Sequence, residues 1–222
     1  MRVTGILHGT KRVGNFPASG KFIAGAFGVD KLNHRRADAA IGGLTADLQS
    51  QAARGMVSAM SVLLTPGDKA PDFSAIAVGG SYKTGQPVKL SDFAGQTLVL
   101  YFYPKDDTPG CTAQACALRD KYERLIETGA VVFGVSIDSP ASHAAFIAKH
   151  ALPFPLLSDV QHEIVNAYGV WIEKSFSGKK SMGTERSTFV IGANGLIKSV
   201  FRKVKPEEHA DTVLEDLRHF EP

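Results

Sequence analysis

The run Leu98-Val99-Leu100-Tyr101-Phe102-Tyr103 narrows the possible folds of this chain more than any other feature. Six successive apolar or aromatic residues with no polar alternation describe a strand buried on both faces, in the middle of a sheet. Pro104 ends it, because proline has no N–H to give to the ladder. A polar loop follows, and Thr108-Pro109 then opens a helix. The threonine can accept a backbone N–H as N-cap, and the proline loses a donor that had no partner anyway. Cys111 falls at the third helical position. A thiolate there sits beside unpaired N–H groups and the positive end of the helix dipole, both of which favour the anion.

The chain carries one other cysteine, Cys116. On an ideal helix five residues advance about 7.5 Å and turn about 140°, which separates the two Cα atoms by roughly 8.7 Å. A disulfide needs less than about 7 Å. The two sulfurs can therefore join only if part of the helix unwinds. That would be a poor structural staple, but it suits a thiol pair that opens, reacts and is reset.

Around this centre the chain is regularly punctuated. Short strands are expected at 73–78 and 87–90, joined through Gly79-Gly80 and Gly85, and Ser91 or Asp92 caps a single turn before Gly95. After the central strand at 97–103, a helix over 109–127 stops at Gly129 and a second buried strand follows at 131–137. Strand, helix and strand in this order form a βαβ unit with parallel pairing. Ser139-Pro140 repeats the cap logic for a helix reaching 150, residues 154–157 are extended, and Ser158-Asp159 opens a helix to about 168. Strands at 187–191 and 196–202 meet across Gly192-Ala193-Asn194-Gly195, and a last helix over 206–220 buries Val213, Leu214 and Leu217. A βαβ half, a hairpin and a closing helix make an α/β chain on the plan of a thioredoxin-like fold, with a central mixed β-sheet flanked by helices.

The segment PKDDTPGCTAQAC, residues 104–116, resembles the active site of peroxiredoxins, whose PxxxTxxC core stands here as Pro104, Thr108 and Cys111. The second cysteine, the preceding YFY and the later LPFPLLSD, GVW and ERSTFVI narrow the resemblance to the bacterioferritin comigratory protein, or peroxiredoxin Q, subfamily. It runs from about residue 64 to the C-terminus and implies a thioredoxin-like fold with a peroxiredoxin-type N-terminal hairpin and insertions.

The resemblance also implies roles. Cys111 attacks the terminal oxygen of hydrogen peroxide or an organic hydroperoxide, and Cys116 resolves the resulting sulfenic acid as a Cys111–Cys116 disulfide. Thioredoxin or a similar dithiol then restores both thiols. The Thr108 hydroxyl bonds the thiolate or peroxide, and Pro104 shields the nucleophile from water; as a plain strand terminator Pro104 needs no such role. Arg186 reads by itself as a solvated charge at a strand end. Matched to ERSTFVI, it becomes the guanidinium that stabilises the thiolate and aligns the peroxide, in preference to Arg119, Arg202 or Lys105. No metal or organic cofactor is implied, since the two sulfurs carry both electrons, and the subfamily implies a monomer. The rival readings are a general thiol-disulfide oxidoreductase, which the CxxxxC spacing disfavours, and a redox-sensing or partner-binding module signalled by helix unwinding.

Other signals are bland. Hydrophobic content of 44% and charged content of 21% suit an ordinary globular domain. No run approaches a membrane span, and a closely spaced cysteine pair points to a reducing, cytoplasmic setting. Residues 1–59 hold eight basic and three acidic side chains, so the basicity belongs there and not to the rest. They are expected to be a poorly ordered extension preceding a catalytic domain at 60–222; a targeting segment, or an artefact of a start placed before Met60, are the alternatives. Asp106-Asp107 reads as a solvated loop pair. His143 and His150 share a helix face but lack a third metal ligand. Lys198, Arg202, Lys203 and Lys205 read as charges guarding a strand and not as a nucleic-acid surface. Tyr168 and Trp171 are expected to pack under the rim of the site.

Overall fold

A computed structural model describes residues 63–176 and 178–219. The extension expected at 1–59, and Met60, lie outside the described residues. The strands are β1 (Ser74–Val78), β2 (Gln86–Lys89), β3 (Leu98–Phe102), β4 (Val131–Ser136), β5 (Leu156–Ser158), β6 (Trp171–Phe176), β7 (Lys179–Thr184), β8 (Ser187–Ile191) and β9 (Ile197–Arg202). The α-helices are α1 (Pro109–Asp120), α2 (Tyr122–Ile126), α3 (Pro140–His150), α4 (Glu163–Ala167) and α5 (His209–Arg218). One mixed sheet has the order β2-β1-β5-β4-β3-β8-β9, while β6 and β7 form a separate hairpin. The β3–β4 and β4–β5 pairs are parallel, as the βαβ reading requires, and the remaining pairs in the mixed sheet are antiparallel.

The unalternating apolar run is explained by what covers it. Leu98, Leu100 and Phe102 of β3 enter a core with Phe133, Val135, Tyr168, Phe189 and the α4 residues Ile164 and Val165. Val99 and Tyr101, with Tyr103 beyond the strand, enter a second core on the opposite face. There they meet Leu118 of α1, Leu125 of α2, Phe146 of α3, and Val213, Leu214 and Leu217 of α5. Both faces of β3 are thus covered, and burying each large apolar side chain contributes about 1.5–3 kcal/mol.

Three expected helices differ in extent. The helix at 109–127 is two helices, because Lys121 (φ −115°, ψ 8°) leaves the helical path and its N–H bonds to Leu118 O at 3.2 Å. The turn lets Tyr122 pack against Phe154, with ring centroids 5.7 Å apart. The helix expected from 159 begins at Glu163, since Ser158 closes β5 and His162 adopts a left-handed conformation (φ 59°). Asp159 still serves the helix from outside, its carboxylate accepting the Val165 N–H at 2.8 Å. The last helix begins at His209, not 206. The β6–β7 hairpin is additional, and its lysine-containing strands carry no alternating apolar pattern. Among the described residues no helix is long and apolar enough to cross a membrane.

Gly134 of β4 stands opposite Tyr101 of β3. A Cβ there would meet Tyr101 Cζ, Tyr101 Oη and Leu156 Cδ2, each at 2.6 Å, so the glycine makes room for the buried ring. Gly134→Ala is therefore expected to destabilise the protein by about 1–3 kcal/mol. Chemical denaturation should show an earlier midpoint with an unchanged slope; an unmoved midpoint would contradict this packing.

Candidate active site

Sheet register assembles the site. Phe102, the last residue of β3, pairs with Ser187, the first of β8, and Ser187 pairs with Arg202, the last of β9. The end of β3, the start of β8 and the end of β9 therefore lie side by side at one edge. The loop leading to α1 leaves from the first, Arg186 precedes the second, and the chain running to α5 leaves from the third.

Cys111 is 2% exposed and occupies the third position of α1, with Pro109 at the first. Thr108 is the N-cap, but its side chain makes no capping bond. The expected side-chain cap is thus corrected: Oγ1 donates to Lys105 O at 3.2 Å, and the backbone Thr108 O accepts the Thr112 N–H at 2.8 Å. The half-buried Arg186 donates from Nη2 to Cys111 Sγ at 3.4 Å. Arg186 thus sets a permanent cation beside the sulfur at the opening of α1. The other candidate arginines are occupied elsewhere. Arg119 bonds Asp120 and His150 O, and Arg202 bonds Glu185 and Gly169 O; Lys105 is exposed. Pro104 is half-buried just after the ladder, whose last contact is the Tyr103 N–H bonding Val135 O at 3.1 Å.

Cys116 is half-buried, and both thiols are free on the same intact helix. Five residues of ideal helix keep their Cα atoms roughly 8.7 Å apart. The helix must open before the sulfurs can bond.

The reading of Asp106-Asp107 as a solvated pair is corrected for Asp106, while Asp107 is exposed as expected. Asp106 is buried and accepts from the Tyr103 hydroxyl at 2.7 Å, the Ser142 hydroxyl at 2.7 Å and His143 Nδ1 at 2.9 Å. Its own N–H donates to Asp138 Oδ2 at 2.9 Å. Both ring nitrogens of His143 face oxygens, the second being Leu157 O at 3.2 Å. Asp107, in a left-handed conformation (φ 55°), binds Lys149 and His150. The two histidines on one face of α3 thus meet two successive aspartates and pin the loop that delivers Cys111. Among the described residues no group of three or more His, Cys, Asp or Glu is placed to hold a metal ion.

A second buried chain of polar groups runs inward from the sulfur. Arg186 Nη1 donates to Gln114 Oε1; Gln114 Nε2 lies 3.0 Å from His209 Nδ1; and His209 Nε2 lies 2.6 Å from Thr188 Oγ1. Burial, helped by the charge of Arg186, pushes His209 down to about 3. Lys174 of β6 donates to Thr184 O at 2.5 Å; burial first, and the Arg186 charge next, lower it from the ordinary lysine value. Sequence reasoning missed Gln114, His209 and Thr188. Only Gln114 left a signal, because three residues from Cys111 places it on the same helical face. Tyr168 and Trp171 were expected beneath the site rim. Instead Tyr168 packs on Phe102 and Phe189 in the core opposite Cys111, and Trp171 stacks on His162 with centroids 4.5 Å apart.

Comparison with known proteins identifies the family of the chain. The family model described as the AhpC/TSA family matches residues 66–200. Peroxiredoxin Bcp of Bacillus subtilis (strain 168) is 47% identical over 152 residues, covering 68% of this chain and 94% of that protein. Peroxiredoxin Bcp of Escherichia coli (strain K12) is 45% identical over 155 residues, covering 70% of this chain and 96% of that protein. Among solved structures, the bacterioferritin comigratory protein of Xanthomonas campestris, studied for alkyl peroxide reduction, superposes with a TM-score of 0.62. It is 37% identical, covering 71% of this chain and 97% of that one.

Burial alone would raise the Asp106 carboxyl, but hydrogen bonding and charge from His143, with the Tyr103 and Ser142 hydroxyls, hold it below the ordinary 3.8. A carboxyl lowered on folding adds stability above its ordinary value, and that stability is lost as pH falls through the folded value. Asp106→Asn is expected to cost about 1–3 kcal/mol at pH 7 and to flatten the acid limb of a melting curve recorded below pH 5. An acid limb as steep as in the wild type would contradict the role of this carboxylate.

Proposed function

The chain belongs to the AhpC/TSA family, as a thiol peroxidase of the Bcp, or peroxiredoxin Q, kind, and we propose that Cys111 carries its peroxide chemistry with Cys116 as the resolving thiol. The observation that carries this reading is the Arg186 guanidinium 3.4 Å from Cys111 Sγ at the opening of α1. In the first step the thiolate attacks the terminal oxygen of the hydroperoxide. A sulfur–oxygen bond forms, the O–O bond breaks, the sulfur loses two electrons, and the leaving oxygen departs with a proton as water or an alcohol. Arg186 stabilises the charge that moves onto that oxygen. In this reading the Thr108 hydroxyl, which donates to Lys105 O in the resting protein, turns to bond the peroxide, and Pro104 limits water at the mouth.

In the second step the Cys116 sulfur attacks the Cys111 sulfenic acid; a disulfide forms and water leaves. The two thiols sit on one helix turned away from each other, so α1 must unwind between them. A dithiol reductant then returns both sulfurs by exchange. Thioredoxin fits that role, because the product is an ordinary disulfide on a locally opened segment. Hydrogen peroxide and organic hydroperoxides are both substrates in this reading, which the alkyl peroxide work on the Xanthomonas protein supports. The reading also takes 60–222 as the peroxidase domain, working as a monomer in the cytoplasm, where a free thiol pair persists.

Stopped-flow oxidation with hydrogen peroxide, followed by mass mapping of the sulfur species, tests the cycle. Cys111→Ser should abolish peroxide consumption, and Cys116→Ser should stop after one equivalent with a sulfenic acid on Cys111. Arg186→Ala should slow the peroxide step by about 10²–10³. Undiminished consumption by Cys111→Ser would remove the assignment.

A further inference from the structure

We propose that His209 is a positioning residue for the peroxide step: through Gln114 it fixes the direction in which Arg186 presents its guanidinium to Cys111. The inference rests on the peroxidase reading of those two residues. Its force comes from the polarity of the hydrogen bonds. Arginine has only donors, so the oxygen of the Gln114 amide must face Arg186. The amide NH₂ then points at His209 Nδ1, 3.0 Å away, which must carry a lone pair. The imidazole proton is thereby placed on Nε2, where it donates to Thr188 Oγ1 at 2.6 Å. Each of the three contacts then pairs one donor with one acceptor.

Reversing the amide would set its NH₂ against the guanidinium and its oxygen against a bare ring nitrogen. Gln114, His209 and Thr188 are all fully buried, so no water can repair such a mismatch. Each unsatisfied buried group would cost about 1–3 kcal/mol. The lone pair on His209 is therefore what selects one orientation of the amide, and the amide oxygen in turn holds one arm of the guanidinium while the other reaches the sulfur. A cationic His209 could not serve, since both ring nitrogens would then donate. Burial and the nearby Arg186 keep the ring neutral, with its value lowered to about 3. The position follows from topology: β9 runs antiparallel to β8 and ends opposite Ser187, so the chain enters α5 beside the site.

The same chain links the two chemical steps. Gln114 lies between Cys111 and Cys116 on α1, so unwinding that joins the sulfurs must pull the amide away from both Arg186 and His209. The resting network thus favours the folded, peroxide-ready helix.

The test uses the full-length reduced protein. Nitrogen-15 spectra of the His209 ring at pH 7 should show a bare Nδ1 and a protonated Nε2; a proton on Nδ1 overturns the proposal, whether or not the protein turns over peroxide. His209→Leu should slow Cys111 oxidation by hydrogen peroxide by about ten- to a hundredfold. His209→Asn, whose carbonyl can accept from the Gln114 amide, should recover most of that rate. Equal loss in both variants, or no loss in either, overturns it. If the leucine variant fails to fold, the ring spectrum and the asparagine variant still decide. Failure of the wild type to consume peroxide would strike the peroxidase reading instead, and leaves the ring spectrum as judge of the hydrogen-bond chain.

Discussion

The antiparallel register between β3 and β8 is the constraint on which the site depends. Phe102 opposite Ser187 sets the residue before β8 beside the loop after β3, so Arg186 and Cys111 meet although they lie 75 positions apart. A slip of one residue would turn the β8 side chains to the wrong faces. Phe189 would leave the core it shares with Phe102 and Tyr168, and Val190 the core it shares with Val99. Hydrophobic burial on both faces therefore enforces the register, and the register places the charge. Stability and reactivity share one cause here.

Chemistry of this kind needs one part of the site to stay fixed while another comes loose. The fixed part is well tied: Asp106 and Asp107 fasten the loop to α3, and Glu185, next to Arg186, accepts from Ser187 and Arg202. In the proposed cycle the part that must loosen is α1, whose buried contacts between the two cysteines come down to Gln114 and Ala115. A helix anchored there by one amide and one methyl group can open at lower cost than one anchored by large apolar side chains. Leu118, beyond Cys116, is fully buried in the core and is an anchor of that larger kind.

Much of this was legible in the chain itself because it depends on local patterns. The double-sided burial of β3, the proline at the first position of α1 and the third-position cysteine all follow from neighbours within a few residues. The roles proposed for Arg186 and Thr108 came only through resemblance, since a strand-end arginine and a capping threonine look alike with or without chemistry. Asp106 was misread because its partners, Ser142 and His143, arrive from a helix more than thirty residues away. His209 was invisible for the same reason, lying 95 positions from Gln114. The β6–β7 hairpin escaped because it is held by its own ladder and carries no apolar alternation. Periodicity reports burial, and long-range polar pairing leaves no periodic trace.

The central claim is that geometry singles out one of two sulfurs on a single helix. The most direct measurement is rapid quenching of the reduced wild-type protein after mixing with substoichiometric hydrogen peroxide, with sulfenic acid trapped and mapped before the disulfide forms. The account predicts that the first oxidised sulfur is Cys111 in nearly every molecule, with Cys116 untouched until the disulfide appears. Equal early oxidation at Cys116 would contradict it, because a helix opening and a guanidinium that confer no selectivity could not be what makes this site react.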